Sequence, residues 1–212
     1  MLKTKTKKNF SHRKSESGKG SRESRLESKE IPKNLFKAAG RLKELKRSGW
    51  VKKLGMIDSE SVADHSFRTS LLAAYFSLLE NLDSAKATRM SLIHDLAESE
   101  IGDLMPEEKI SEEEHRRLED QVSRQIFGTL PKRPKKVFLE DWSELLLRKT
   151  KESKLVWQLD KLEMGMTMKD YMSKGGNKKK LLRFDPSENL SRKLKIFLSE
   201  YESDLKTREI QH

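Results

Sequence analysis

The chain contains no cysteine. Disulfides and thiolate metal sites are therefore excluded, and an intracellular, cytoplasmic location is expected. No apolar run approaches the roughly 20 residues needed to cross a bilayer, so no membrane association is expected. The N-terminus is basic, yet no apolar stretch follows it, which argues against a secretory leader. Aromatic residues make up only 7% of the 212, and hydrophobic residues 34% against 37% charged. That composition is enough for one compact core but polar for a chain folded throughout.

The net charge is +11, and +6 of it falls in residues 1–30, which carry ten Lys or Arg against four Glu. This segment opens with Lys3-Thr4-Lys5-Thr6-Lys7-Lys8 and continues as a mixture of Ser, Gly, Lys, Arg and Glu. It has almost nothing to bury and reads as a disordered basic tail. A solubilising extension is its plain interpretation. Weak contact with RNA or DNA phosphates is the alternative.

From Ile31 onward the apolar spacing is helical. Leu35, Phe36, Ala39, Leu42 and Leu45 predict an amphipathic helix ending near Ser48-Gly49. Trp50 to Gly55 reads as a short linker. Ser59 or Ser61 can cap a second helix through Phe67, Leu71, Leu72, Tyr75 and Phe76. Asp83 or Ser84 can cap a third, continuous through Ile93 and Ala97 and closing before Gly102. Ser111 and Glu114 form a capping box for a fourth, ending near Gly128. Pro134 opens a fifth. A sixth spans roughly Ser153 to Met172 and stops at Gly175-Gly176. Asp185-Pro186 starts a seventh, with Leu190, Leu194, Phe197, Leu198 and Tyr201 on one face. No segment alternates as a strand does. The pattern is that of one all-α helical bundle over residues 31–207, preceded by the tail of residues 1–30.

Within this pattern His94-Asp95 stands out, because an apolar helical stripe would carry Leu or Val there. The chain has five histidines. His12 lies in the tail, His212 is the last residue, and His115 follows three glutamates and reads as solvated. His65 and His94 remain, both inside otherwise apolar helices and each beside a carboxylate. Asp160 is a further candidate downstream. Buried imidazoles and carboxylates are costly unless paired or metal-bound. A mixed nitrogen and oxygen set suits Mn²⁺, Co²⁺, Fe²⁺, Ni²⁺ or Zn²⁺ better than a purely oxygen-seeking ion, and Mg²⁺ stays among the candidate metals. Such a site, with open positions, can bind water, lower its pKa and polarise a phosphoryl oxygen.

These residues fall in stretches that resemble a known family. They are Arg47-Ser48-Gly49-Trp50-Val51, Glu60-Ser61-Val62-Ala63-Asp64-His65-Ser66, His94-Asp95-Leu96-Ala97-Glu98, Ile101-Gly102-Asp103-Leu104-Met105-Pro106 and Gln158-Leu159-Asp160-Lys161-Leu162-Glu163. The ordered set resembles the HD-domain phosphohydrolases, and within them the 5′-deoxynucleotidases of the HD-domain-containing protein 2 and bacterial YfbR type. The resemblance covers about residues 33–205. It implies that His65, His94, Asp95 and Asp160 hold a divalent metal. It also implies that Glu98 positions or deprotonates the attacking water and touches a second metal position, completed by Asp103 and the Leu104 carbonyl. Asp103 could instead act on the leaving 5′-oxygen. Arg47 and Trp50 are implied to line the nucleotide pocket. Because Gly49 stands where the bacterial relatives place an arginine, Lys52, Lys53 or Arg68 are alternative phosphate contacts.

The expected activity is metal-dependent hydrolysis of deoxyribonucleoside 5′-monophosphates. Alternatives are a triphosphohydrolase, a phosphodiesterase or an alarmone hydrolase, or a nucleic-acid-binding protein whose metal site is structural. The resemblance also implies a homodimer, with the apolar faces of the C-terminal helices as candidate surfaces. Met164, Met166, Met168 and Met172 are expected to pack. Lys178-Lys179-Lys180 and the run Lys132 to Lys136 are expected to be solvated loops.

Overall fold

The computed structural model describes residues 32–108 and 111–209. The basic tail expected over residues 1–30 lies outside the described residues. Among them there is no strand, and only an isolated bridge joins Lys46 to Ser61.

The helices are α1 (Lys33–Leu42), α2 (Ser48–Leu54), α3 (Val62–Leu79), α4 (Ser84–Ile93), α5 (Glu98–Ile101), α6 (Glu112–Gly128), α7 (Lys132–Leu147), α8 (Lys151–Ser173), α9 (Lys178–Leu181) and α10 (Arg192–Glu209). Their starts follow from local chemistry. Ser61 caps α3 in a reciprocal box with Asp64, and Thr150 does the same for α8 with Ser153. Asp83 caps α4 by accepting the Lys86 N–H. Ser111 accepts the Glu114 N–H at the head of α6, while its hydroxyl donates to the Glu114 carboxylate. Each such cap satisfies donors that the first helical turn leaves unpaired.

Five expectations change. The first helix ends at Leu42 rather than near Ser48-Gly49. The last begins at Arg192 rather than at Asp185-Pro186, which lead only into a short 3₁₀ turn. Ser48 to Leu54 is a helix rather than a linker, closing on Gly55. Its apolar content faces inward as Trp50, which gives so short a helix a reason to form. The expected third helix breaks: α4 ends at Ile93, and α5 starts only at Glu98. Between them the backbone bonds tighten, with Leu96 N–H on the Ile93 carbonyl and Glu98 N–H on that of Asp95. The lysine runs are not plain loops either. Lys132–Lys136 form the first turns of α7, and Lys178–Lys180 lie in α9, although these last three remain exposed.

Helices α3, α4, α8 and α10 share a core of Leu72, Phe76, Met90, Leu159, Leu162 and Leu194. A second cluster joins α1, α6 and α7 through Leu42, Ile126, Phe127 and Trp142. A third packs Trp50 against Met168 and Leu181. Met166 and Met168 are buried, and Met164 and Met172 pack beside them, as expected. The site lies where α3, α8 and the α4–α5 break meet.

Candidate metal centre

The break after α4 is what presents His94 and Asp95. A continuous helix would carry them along its apolar stripe. Here His94 is the last residue of the helical path, and its Nδ1 lies 2.6 Å from the Ser91 carbonyl, which fits an Nδ1–H donor. That leaves Nε2 as the free lone pair. His65 reaches the same point from α3, and Asp160 from α8.

The four side chains converge. His65 Nε2 lies 3.3 Å from His94 Nε2, 3.2 Å from Asp160 Oδ1 and 3.5 Å from Asp95 Oδ2. His94 Nε2 lies 3.2 Å from Asp95 Oδ2. Burial alone would raise both aspartates. His94, His65 and Arg47 outweigh it at Asp95, and Lys161, His65 and His94 at Asp160, so both carboxyls are held well below their ordinary range. Burial and the Arg47 charge pull the His65 imidazole down, but Glu163 and Asp160 outweigh them and leave it at about 9.

Glu98 stands next to this group. Burial, then Asp95 and Asp103, push its carboxyl well above the ordinary value, against the pull of Arg47. Its Oε2 is buried without a hydrogen-bond partner. Gly102 ends α5 at φ 82° and ψ 161°, a conformation open essentially to glycine alone. The chain turns there and sends Asp103 back toward α2, where its Oδ2 accepts the Ser48 N–H at 2.5 Å. Leu104 follows in the same loop and is half-buried.

These residues fit a divalent cation. Two imidazole nitrogens and two ionised carboxylates face one another, with Glu98 and Asp103 nearby. A bound cation at its centre would pair the carboxylates and add positive charge facing a phosphate dianion.

Arg47 belongs to this centre. Its Nη1 lies 3.2 Å from Asp95 Oδ2, and it also feels Asp103, Glu98 and Asp160. Gly49 is needed where it stands, because a Cβ there would come within 2.9 Å of the Phe184 ring. Trp50 is placed differently from expectation. It is 2% exposed, meets the rings of Tyr171 and Phe184, and donates from Nε1 to Glu60 at 3.0 Å. Its ring is core, not a wall of the open cavity. The alternative phosphate contacts are engaged in ion pairs: Lys52 with Glu108, Lys53 with Glu107, and Arg68 with Glu163 and Asp170.

Two residues escaped the sequence reading. Glu163 is 0% exposed, and its carboxylate accepts from His65 Nδ1, from Arg68 Nε at 2.8 Å and from Thr167 Oγ1 at 3.0 Å. That fixes the His65 tautomer, with Nε2 turned to the centre. The available signal was its spacing, three residues after Asp160 and so on the same helical face. His115 was read as solvated. It is buried, its Nδ1 lies 3.3 Å from Glu119, and it lines a cavity shared with His94 and Asp160. Its charged sequence neighbours hid the fact that α6 turns this position inward.

The chain belongs to the HD domain family, which matches residues 39–203. It is 37% identical over 144 residues to a 5′-deoxynucleotidase HDDC2 of Dictyostelium discoideum, covering 65% of this chain and 75% of that protein. With the Homo sapiens 5′-deoxynucleotidase HDDC2 it shares 34% identity over 137 residues, 65% of this chain and 66% of that one. A crystal structure of a Pyrococcus horikoshii protein superposes with a TM-score of 0.66 at 27% identity, covering 82% of this chain and 98% of the other.

Proposed function

We propose that this chain is a metal-dependent 5′-deoxynucleotidase that hydrolyses deoxyribonucleoside 5′-monophosphates to deoxynucleoside and phosphate. The observation that carries the proposal is the convergence of His65, His94, Asp95 and Asp160 beside a buried Glu98 oxygen that lacks a partner. The curated relatives of this name support the substrate class.

In this mechanism His65, His94, Asp95 and Asp160 would hold the cation, with Mn²⁺, Co²⁺, Fe²⁺, Ni²⁺, Zn²⁺ and Mg²⁺ as the candidates and the mixed donors favouring the first five. When bound, it supplies Lewis acidity toward a phosphoryl oxygen and a lowered pKa for adjacent water. Glu98 orients the attacking water and takes its proton. Its elevated carboxyl is suited to that task once a cation shares the site. Arg47 is positioned to move from Asp95 onto a phosphate oxygen, where its planar donors match the group. Asp103 anchors the head of α2, which carries Arg47 as its N-cap, and would either help hold a second cation or act on the leaving 5′-oxygen. A second cation, if bound, would be held by Glu98, the Leu104 carbonyl and, in the first of those roles, Asp103. Water attacks phosphorus, the bond from phosphorus to the 5′-oxygen breaks, and that oxygen receives the proton that Glu98 took from the water, directly or through solvent.

A homodimer belongs to the proposal, but its surface moves. The apolar face of α10 is occupied in the core through Leu194 and Leu198. Phe67, Leu71, Tyr75 and Leu78 instead form an exposed stripe along α3. In this proposal the stripe packs on a second copy of the chain, and sedimentation of Leu71→Glu against the wild type checks it. Placement in the cytoplasm and weak nucleic-acid contact through the tail stay within the proposal.

A phosphate-release panel tests the activity. It compares deoxy- and ribonucleoside mono- and triphosphates with Mn²⁺, Co²⁺, Mg²⁺ and Zn²⁺. The deoxynucleoside monophosphate should have the highest kcat/KM. Preference for triphosphates, or equal turnover of ribo and deoxy forms, would overturn the assignment.

A further inference from the structure

A cavity of about 230 Å³ opens beside the metal centre, between α6, α7 and α8. His94 and Asp160 line one end. Trp142, Val156, Trp157 and Arg148 contribute further walls. A phosphate seated at the centre therefore has a mixed space adjoining it, in which Trp142, Val156 and Trp157 stand among the charged Glu112, Arg116, Glu119 and Arg148, and into which the rest of a nucleotide can extend.

Arg148 is unusual in two independent ways. It ends α7 in the left-handed conformation, at φ 46° and ψ 44°. Helices that stop this way normally place glycine there, because a side chain is strained. The stop itself is made by the backbone, with the Arg148 N–H on the Leu145 carbonyl and the Lys149 N–H on that of Glu144. Nothing in that turn requires arginine. The guanidinium instead lies over Trp157, 4.4 Å from its ring centroid. Trp157 sits three residues before Asp160 on α8, so both project from one helical face into the cavity. A strained arginine and a half-buried indole thus meet at the wall of the cavity that holds two metal-ligand candidates.

We infer that Arg148 and Trp157 form the base-recognition element of this pocket, an inference that rests on the nucleotidase reading above. The chemistry suits a purine. The guanidinium covers one face of the indole, so a base would stack on the other. A guanidinium presents paired donors that match a base edge with adjacent acceptors, as in guanine O6 and N7. The ligand class is accordingly a deoxynucleotide carrying such a base, with its phosphate at the His94 and Asp160 end.

The test uses the full chain with Mn²⁺ and two substrates, dGMP and 2-deoxyribose 5-phosphate, which lacks the base. In the wild type, dGMP should have the lower KM. Arg148→Gly should fold at least as well, since glycine adopts the left-handed turn without steric cost. It should raise the KM for dGMP about tenfold, the scale of one lost bidentate base contact, and leave that for the sugar phosphate unchanged. Arg148→Lys keeps the charge but not the planar fork, and should behave like Arg148→Gly. Three results overturn the inference: no wild-type preference for dGMP over the sugar phosphate, an unchanged dGMP KM in Arg148→Gly, or wild-type KM in Arg148→Lys. Should the wild type hydrolyse neither substrate, the nucleotidase reading fails on its own. Calorimetric titration with deoxyguanosine then decides this inference separately: binding that weakens about tenfold in Arg148→Gly supports it, and absent or unchanged binding overturns it.

Discussion

Replacing Glu163 with glutamine isolates the part that this carboxylate plays in holding His65. In the wild type it accepts hydrogen bonds from the imidazole, from Arg68 and from Thr167, and it is closed to solvent. Glutamine keeps the shape but removes the charge and must point an NH₂ at one of those donors. His65 then loses the partner that holds its Nε2 toward the centre. Loss of such an outer partner typically weakens metal affinity by about 10- to 100-fold. Thermal stability amplifies that change. With Mn²⁺ at about 100 times the wild-type Kd, binding adds about 2.7 kcal/mol to folding. The same concentration is only about 1 to 10 times the variant's Kd, which adds about 0.4 to 1.4 kcal/mol. At about 2–4 °C per kcal/mol, the metal-induced rise in Tm should fall from about 5–11 °C to about 1–6 °C. Titration calorimetry with Mn²⁺, alongside melts with and without the metal, measures both quantities. Referring each protein to its own metal-free melt removes any general loss of stability. Wild-type Mn²⁺ affinity in Glu163→Gln would refute the positioning role.

Three further outcomes are expected. Glu98→Gln should retain bound Mn²⁺ and substrate affinity but lower kcat by roughly a hundredfold, as for a lost general base; recovery of full rate at high metal would make Glu98 a ligand only. Trp50→Ala should destabilise the fold by about 3–5 kcal/mol by denaturant titration, as for a buried aromatic. If stability is unchanged and only the nucleotide KM rises, the ring contacts substrate after all. Hydrogen bonds from Lys169 and Lys206 hold the Glu202 carboxyl at about 2. A depressed carboxyl stabilises the folded state fully above its ordinary pKa, and the contribution fades as pH falls toward the folded value. Glu202→Gln should therefore remove no more than about 1 kcal/mol at neutral pH, and the difference should disappear as pH falls through the folded value, which acid-dependent unfolding curves can measure.

Much of this protein follows from local chemistry written in the sequence. Ser61 with Asp64, Asp83, and Thr150 with Ser153 start helices because their side chains reach N–H groups only two or three residues away. The helical repeat of apolar residues specifies the all-α class, and the ordered HD stretches single out His65, His94, Asp95 and Asp160. Other features depend on groups distant in the chain. Helix α2 takes shape because Trp50 has Met168, Leu181 and Phe184 to bury against. The same burial removes Trp50 from the open cavity, which no local pattern reveals. Glu163 and His65 are 98 residues apart, so their pairing exists only once α3 and α8 pack. His115 sits among glutamates, yet packing of α6 turns it inward. Arg148 meets Trp157 because α7 stops in a left-handed turn and lets α8 return beside it. Residue types and spacing thus determined the helices, since caps and apolar periodicity act within a few residues, while the candidate ligands followed from the resemblance of the ordered stretches to the HD family. Which of those side chains share one buried space, and which carboxylate orients which imidazole, was decided by helix packing alone.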